Sequence, residues 1–251
     1  MKNICICIPC RFNSSRLPGK LTYKFGEEYT IVKTYLQAKK SKYASEVYLL
    51  IDDKRIYDIM INYTNNIIYT DIDCKNGTER ISKNLNSIPE KYDLIVNIQA
   101  DEPFIDEKNI DYAIEKHIEN KDNKNIFYTT LHQKIDDNNY LNSSSCICVQ
   151  FNNKNEVMTY SRSILPGNKD NVGDVNKINY FGFTGIYVFN RNLLEIYHEL
   201  EDTYYQKIED IEQMKILENN FIVKTYECPY FNEISLNDKY DYEFLLKKYF
   251  S

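Results

Sequence analysis

Through its first 119 residues the chain alternates short apolar runs with amphipathic segments, and this alternation restricts the fold more than any single residue does. Residues 4–9 read as a buried strand, 29–43 as a helix, 46–51 as a second strand and 67–69 as a short third one. Between the last two, residues 55–63 have helical spacing at Ile56, Ile59, Met60 and Tyr63. A helix over 79–85 and a clear buried strand over 94–98 follow. A helix over 106–119 then places Ile110, Ala113, Ile114 and Ile118 on one side. This order predicts a parallel sheet wound on both faces, because parallel neighbours need a crossover and the crossover helices cover the sheet. Ligands of such sheets bind outside the carboxyl ends of the strands. Three polar loops begin there, over 11–20, 70–78 and 99–103, so the topology places them on one rim.

The second half is less regular. Residues 127–131, 146–151, 157–161, 182–189 and 222–227 read as strands, 208–218 and 240–250 as helices, and 136–145 and 166–179 as polar loops. No repeat and no linker interrupts the chain. The fold class is α/β, a single domain over 1–251 with a mixed, mostly parallel sheet, helices on both faces and an antiparallel excursion in the second half.

Composition narrows the function. A net charge of −6 and a pI of about 5.3 argue against a broad nucleic-acid footprint, so an anionic substrate needs a local basic pocket. The Lys- and Asn-rich stretch 116–125 reads as a solvated helix end. The seven cysteines have no framework spacing. Cys5 and Cys7, like Cys146 and Cys148, are i,i+2 pairs in apolar runs and suit packing as small hydrophobes. With no C-x-x-C, and with His117, His132 and His198 scattered, a zinc site is not expected. Abundant thiols without a framework suit a reducing compartment. No stretch reaches the roughly 20 apolar residues that span a bilayer, and none resembles a signal peptide, so a cytoplasmic location is expected.

The rim loops carry the chemistry. Arg11, Ser14, Arg16 and Lys20 lie in R-F-N-S-S-R-L-P-G-K, whose cations and backbone N–H groups can converge on a phosphate. The plainer reading is a solvated basic loop, since the spacing is neither a P-loop nor a dinucleotide turn. Asp101 and Glu102 end the 94–98 strand, where a carboxylate can hold Mg2+ against nucleotide phosphates. Alternatively Asp106 caps the next helix and Asp101-Glu102 favour its positive end. Gln99, polar at the end of a buried strand, needs a partner. In Asn76-Gly77-Thr78-Glu79-Arg80, Gly77 permits close backbone approach and Thr78 suits a cap; a capping turn and base recognition both fit.

Taken together, the three loops resemble those of the 3-deoxy-manno-octulosonate (Kdo) cytidylyltransferases, whose motifs are P-x-R-x-x-S-x-R-L-P-G-K, S-G-T-E-R and Q-G-D-E-P. The resemblance extends from Ile4 to about Phe250 and implies a Rossmann-like nucleotidyltransferase fold. It also implies transfer of CMP from CTP to the anomeric hydroxyl of Kdo, Mg2+ as cofactor, and a homodimer with residues 166–179 near the contact. By position, Arg11, Ser14, Arg16 and Lys20 would hold the CTP phosphates, and Gly77, Thr78, Arg80 and Gln99 would lie along the cytidine. Asp101 would ligate metal, and Arg11, Lys20 and Asp101 would be the catalytic set. Tyr160-Ser161-Arg162 resembles the family's [YF]-S-R, and residues 208–213 its I-E-x-x-E-Q segment. Arg162, Tyr187, Glu212 and Gln213 would therefore face the sugar. This divides the chain into a CTP-binding half, 1–119, and a sugar-binding and dimerisation half, 120–251.

Departures fall mainly in the second half. Asn76 and Ala100 replace Ser and Gly, both mild changes. The family's C-terminal metal Asp falls on Asn237, with Asp238 one place on. Its H-x-G-[IV]-Y becomes Phe183-Thr184-Gly185-Ile186-Tyr187, and a later basic position becomes Lys169. Two alternatives follow. One is the same chemistry on another ulosonic acid, such as 8-amino-Kdo or a nonulosonate, motivated by Phe183. The other is a non-catalytic nucleotide-sugar-binding homologue, motivated by Asn237.

Overall fold

In the computed structural model, which describes residues 3–169, 173–231 and 234–250, a nine-stranded mixed sheet runs through the chain. Its amino-terminal half is built from β1 (Ile4–Cys10), β4 (Glu46–Ile51), β5 (Ile67–Tyr69) and β6 (Leu94–Ile98). β2 (Lys24–Phe25) and β3 (Glu28–Tyr29) form a separate small hairpin. The intervening helices are α1 (Thr30–Ala38), α2 (Lys54–Met60), α3 (Gly77–Lys83) and α4 (Glu107–Glu119). β6, β1, β4 and β5 pair in parallel in that order, as the alternation predicts. Every residue of β1 and β6 is buried, which is why both read as unbroken apolar runs rather than alternating ones. Asp53 and Asp106 cap α2 and α4 by accepting the Arg55 and Lys108 N–H groups at 2.8 and 2.7 Å.

The carboxyl-terminal half adds β7 (Ile126–Ile135), α5 (Asn138–Leu141), β8 (Cys148–Phe151), β9 (Val157–Ser161) and β10 (Tyr180–Asn190). It ends with α6 (Arg191–Glu195), α7 (Tyr204–Glu209), α8 (Met214–Glu218), β11 (Ile222–Glu227) and α9 (Lys239–Phe250). β10 lies antiparallel between β6 and β7, and β11 runs parallel to β7 on the outer edge. β8 and β9 form the antiparallel excursion off β10. The β10 register breaks between Phe183 and Tyr187, and Gln99 N–H donates to the Gly185 carbonyl at 3.0 Å across this bulge.

Several expectations need correction. The first helix stops at Ala38, the loop over 136–145 contains α5, and β7 runs on to Ile135. Three residues of the 166–179 loop, 170–172, lie outside the described residues. The expected helix over 208–218 is two short helices, because Asp210 adopts φ 51° and Arg162 Nε and Nη2 take the carbonyls of Glu209 and Asp210. Those carbonyls would otherwise have accepted the next helical turn. None of the seven cysteines is disulfide-bonded and six are buried, Cys5, Cys7, Cys146 and Cys148 among them. Among the described residues no helix is long and apolar enough to cross a membrane.

One buried ion pair joins the ends of three parallel strands. Asp52, just past β4, accepts the Phe12 N–H at 2.9 Å through Oδ1 and the Arg80 Nη2 at 3.0 Å through Oδ2. Arg80 Nη1 also donates to Thr70 Oγ1 and, at 3.2 Å, to the Asp71 carbonyl. Both side chains of the pair are only 2% exposed. Removing one member of such a pair leaves a buried charge uncompensated. We therefore expect Asp52→Ala to lower the unfolding free energy by about 3–5 kcal/mol, measured by urea denaturation.

Candidate active site

The loop after β1 is closed by its own backbone. Gly19, at φ 69°, donates its N–H to the Phe12 carbonyl at 3.3 Å, which returns the chain and sets Lys20 beside the end of β6. There Lys20 Nζ forms an ion pair with Asp101 Oδ2, both side chains being largely buried. Arg16 reaches across the opening instead, donating to Ser145 Oγ at 2.7 Å and to Asn237 Oδ1 at 3.3 Å. The loop thus touches β6, the start of β8 and the segment before α9.

The second loop packs between the first and β6. Asn76 caps α3 by accepting the Glu79 N–H at 2.8 Å. A Cβ on Gly77 would sit 2.9 Å from Pro9 Cγ and 3.1 Å from Gln99 Nε2, so this position needs glycine for close approach. A chain of polar contacts then crosses the site: Gln99 Nε2 to Asn97 Oδ1, Asn97 Nδ2 to Thr78 Oγ1, each at 3.3 Å, and Thr78 Oγ1 to Glu212 Oε1 at 3.1 Å. Glu212 also accepts the Thr78 N–H and the Gln213 amide, both at 3.3 Å. Gln99 and the loop after α7 therefore find partners in each other's neighbourhood.

Two cavities open on this rim. The smaller, about 270 Å3, lies against Arg11, Ser14 and the start of α3. The larger, about 630 Å3, reaches Arg162, Phe183, Tyr187, Glu212, Gln213 and Asn237. Arg16, Lys20, Asn76, Gly77, Gln99 and Asp101 line both and form the shared wall. Of the residues singled out from sequence, Arg80 and Arg162 are the most heavily engaged by protein. Arg80 is committed to Asp52, and Arg162 to the carbonyls of Ser144, Glu209 and Asp210. Thr78 is buried at the start of α3, held by Asn97 and Glu212.

Burial dominates the electrostatics. Loss of solvent pushes the Glu102 carboxyl up to about 8, with the neighbouring Asp101 charge adding to the effect. Glu212 is pushed up to about 7 by burial, partly opposed by the Thr78 N–H and hydroxyl. The Tyr187 phenol is also raised by burial. Two of the site's carboxyl groups are thus shifted toward the neutral form.

The donor set suits a hard divalent cation. Leu236 N–H donates to the Asp101 carbonyl at 2.8 Å, which pins the 234–238 segment beside Asp101 and puts Asn237 on the same cavity wall. Asp238 is used otherwise: its Oδ1 accepts the Asp241 N–H at 3.0 Å, capping α9, while Asp241 Oδ2 accepts the N–H groups of Asn237 and Asp238. Among the described residues no three His, Cys, Asp or Glu side chains cluster as a metal cage. One carboxylate and one amide oxygen are a typical protein share for a cation that completes its shell with phosphates and water.

Residues without an assigned role in the sequence hold these groups in place: Asp52, Asn97, Ser145 and Ser235. Ser235 Oγ donates to Glu102 Oε1 at 2.6 Å. Only Asn97 had a sequence signal, as a polar residue inside a buried strand.

The family model described as Cytidylyltransferase matches residues 4–227. The chain belongs to this family. A 3-deoxy-manno-octulosonate cytidylyltransferase from Fusobacterium nucleatum is 35% identical over 221 residues, covering 88% of this chain and 86% of the relative. The mitochondrial protein of the same name from Arabidopsis thaliana is 32% identical, covering 86% and 73%. Among solved structures, CMP:2-keto-3-deoxy-manno-octonic acid synthetase complexed with CTP superposes with a TM-score of 0.85 at 23% identity, covering 98% of each chain. The resemblance drawn from the three loops is thus borne out, and the shared architecture confirms the nucleotidyltransferase fold.

Glu212 gives the cytidylyltransferase site a pH signature. Its folded value, about 7, exceeds the ordinary 4.5, so stability is fully present below about 4.5 and declines as pH rises through 7. We expect Glu212→Gln to match the wild type at about pH 3.5 and to exceed it by about 3 kcal/mol at pH 8, measured by denaturant titration across the range.

Proposed function

We propose that this cytidylyltransferase joins CTP to Kdo, giving CMP-Kdo and pyrophosphate, with the smaller cavity taking the nucleotide and the larger one the sugar acid. The observation that carries this reading is the shared wall, where Lys20, Arg16 and Asp101 stand between the two cavities. A reaction joining two substrates needs its charge-handling groups at that junction. The anomeric hydroxyl attacks the α-phosphate, a P–O bond to the sugar forms, the bridging bond breaks and pyrophosphate leaves. Arg11, Arg16 and Lys20 hold the triphosphate and neutralise the departing pyrophosphate, with Ser14 contributing a hydroxyl. Gly77 and Gln99 border the cytidine, Thr78 supports them from below through Asn97, and Arg80 acts by fixing their loop through Asp52.

On the acceptor side Glu212, Gln213 and Tyr187 line the larger cavity, and Arg162 fixes the turn from which Glu212 extends. We assign Asp101 and Asn237 as the Mg2+ ligands; when bound, Mg2+ polarises the α-phosphate and eases deprotonation of the attacking hydroxyl. Positioning and charge relief, rather than a protein nucleophile, account for the rate. The reading includes a cytoplasmic homodimer in which residues 1–119 serve the nucleotide and 120–251 the sugar and the contact.

Phe183 favours keeping a second acceptor in view. Its ring packs edge-on to Tyr160 at 5.0 Å on the cavity wall, presenting an apolar surface where the family has an imidazole. Purified protein with CTP and Mg2+ is therefore assayed for pyrophosphate release against Kdo, 8-amino-Kdo and a nonulosonate. We expect turnover with Kdo, and losses of roughly a hundred- to a thousandfold in Lys20→Ala and Asp101→Ala. Turnover of another acid with none of Kdo would reassign the acceptor, and no turnover with any would favour a binding protein.

A further inference from the structure

We propose that Arg16 and Lys20 hold the cation site closed until the nucleotide arrives, so that metal and CTP bind as one coupled event. The inference rests on the reading above that Asp101 and Asn237 are the metal donors. One side-chain oxygen of each donor residue is already held by a cation of the phosphate loop: Asp101 Oδ2 by Lys20 Nζ, and Asn237 Oδ1 by Arg16 Nη2 at 3.3 Å. The Lys20–Asp101 pair is well shielded, with side chains 14% and 17% exposed, so solvent weakens it little.

A divalent cation approaching alone must displace an ammonium from the carboxylate while that ammonium has no anion to move to. The nearby carboxyl of Glu102 offers no refuge, being occupied by Ser235 Oγ. Asp241 is occupied as well, by the N–H groups of Asn237 and Asp238. A triphosphate changes this balance. Its oxygens give Lys20 and Arg16 a new partner, both side chains turn to it, and the two donor oxygens are released together. The same phosphates supply further ligands to the cation. Each ligand thus removes the obstacle to the other, and the coupling is reciprocal.

The pair also gives Asp101 a partner before any cation binds. Lys20 supplies the compensating charge in the resting protein and Mg2+ supplies it during turnover, so the carboxylate is never left alone. Lys20 consequently has two tasks, of which phosphate binding is only the second.

The test uses Mn2+ as the probe, with electron paramagnetic resonance reading free metal against the intact protein without nucleotide. We expect wild type to bind Mn2+ weakly, Lys20→Met to bind it about tenfold or more tightly, and Arg16→Met, an exposed position that cannot unfold the chain, about threefold more tightly. Adding Asp101→Ala to Lys20→Met should abolish the gain. Wild-type Mn2+ affinity within twofold of both variants would overturn the proposal, as would a folded Lys20→Met protein that binds no better. If Lys20→Met fails to fold by circular dichroism, Arg16→Met decides alone. Inactivity of the wild type toward every acceptor would undo the functional reading while leaving the binding comparison intact.

Discussion

The rim depends on a carboxylate that sees almost no water. Burying Asp52 and Arg80 costs several kcal/mol per ion, and the mutual attraction returns this only when the remaining donors and acceptors are satisfied. Here they are. Asp52 spends one oxygen on the Phe12 N–H and the other on Arg80, whose second terminal nitrogen is taken up by Thr70 and Asp71. A hydrophobic pair of equal volume would stabilise the core as well or better. It would not fix the phosphate loop, the end of β5 and the start of α3 to one another. The ion pair therefore acts on geometry: it sets where Gly77 meets Pro9 and Gln99, and so the floor of the smaller cavity.

A second buried carboxyl does the same for the other half. Glu102 accepts the Gly185 N–H and the Ser235 hydroxyl, joining the end of β6 to the β10 bulge and to a segment 133 residues further along the chain. A Cβ at Gly185 would lie 2.5 Å from Glu102 Oε1, so any larger residue would push this carboxyl from its place. The bulge turns Phe183 and Tyr187 to the larger cavity, and the pinned segment brings Asn237 beside Asp101. One buried group thus sets both the Phe183–Tyr187 wall and the position of Asn237.

Much of this is legible in the chain, for reasons that differ by element. The strands over 46–51, 67–69, 94–98, 157–161 and 222–227 match to the residue, because each is an apolar run bounded by polar turns. The antiparallel insertion of β10 is not legible, since the same apolar pattern serves either strand direction. Nor is the break at Asp210. It depends on Arg162, 48 residues earlier, which takes the carbonyls that a continuous helix would use. Loop motifs bring Arg11, Lys20, Gln99 and Asp101 to one wall. They do not reveal which of the loop cations also meets a carboxylate, as Arg80 does Asp52 and Lys20 does Asp101.

An acidic chain can still bind a triphosphate, because net charge and site charge act over different distances. At physiological ionic strength the field of remote carboxylates fades within about 8 Å, so the surface total of −6 matters little at the bottom of a cavity. What counts is the local balance. Arg11, Arg16 and Lys20 lie on the wall of the smaller cavity, where Asp101 is the one carboxylate among the lining residues. Glu102 and Glu212 line the larger cavity, and burial raises both toward neutrality. Desolvation, normally a cost for a carboxyl group, here removes negative charge from the neighbourhood of an anionic substrate while leaving hydrogen-bonding oxygens in place. The two buried carboxyls that organise the acceptor side therefore impose less repulsion on the phosphates than their count suggests.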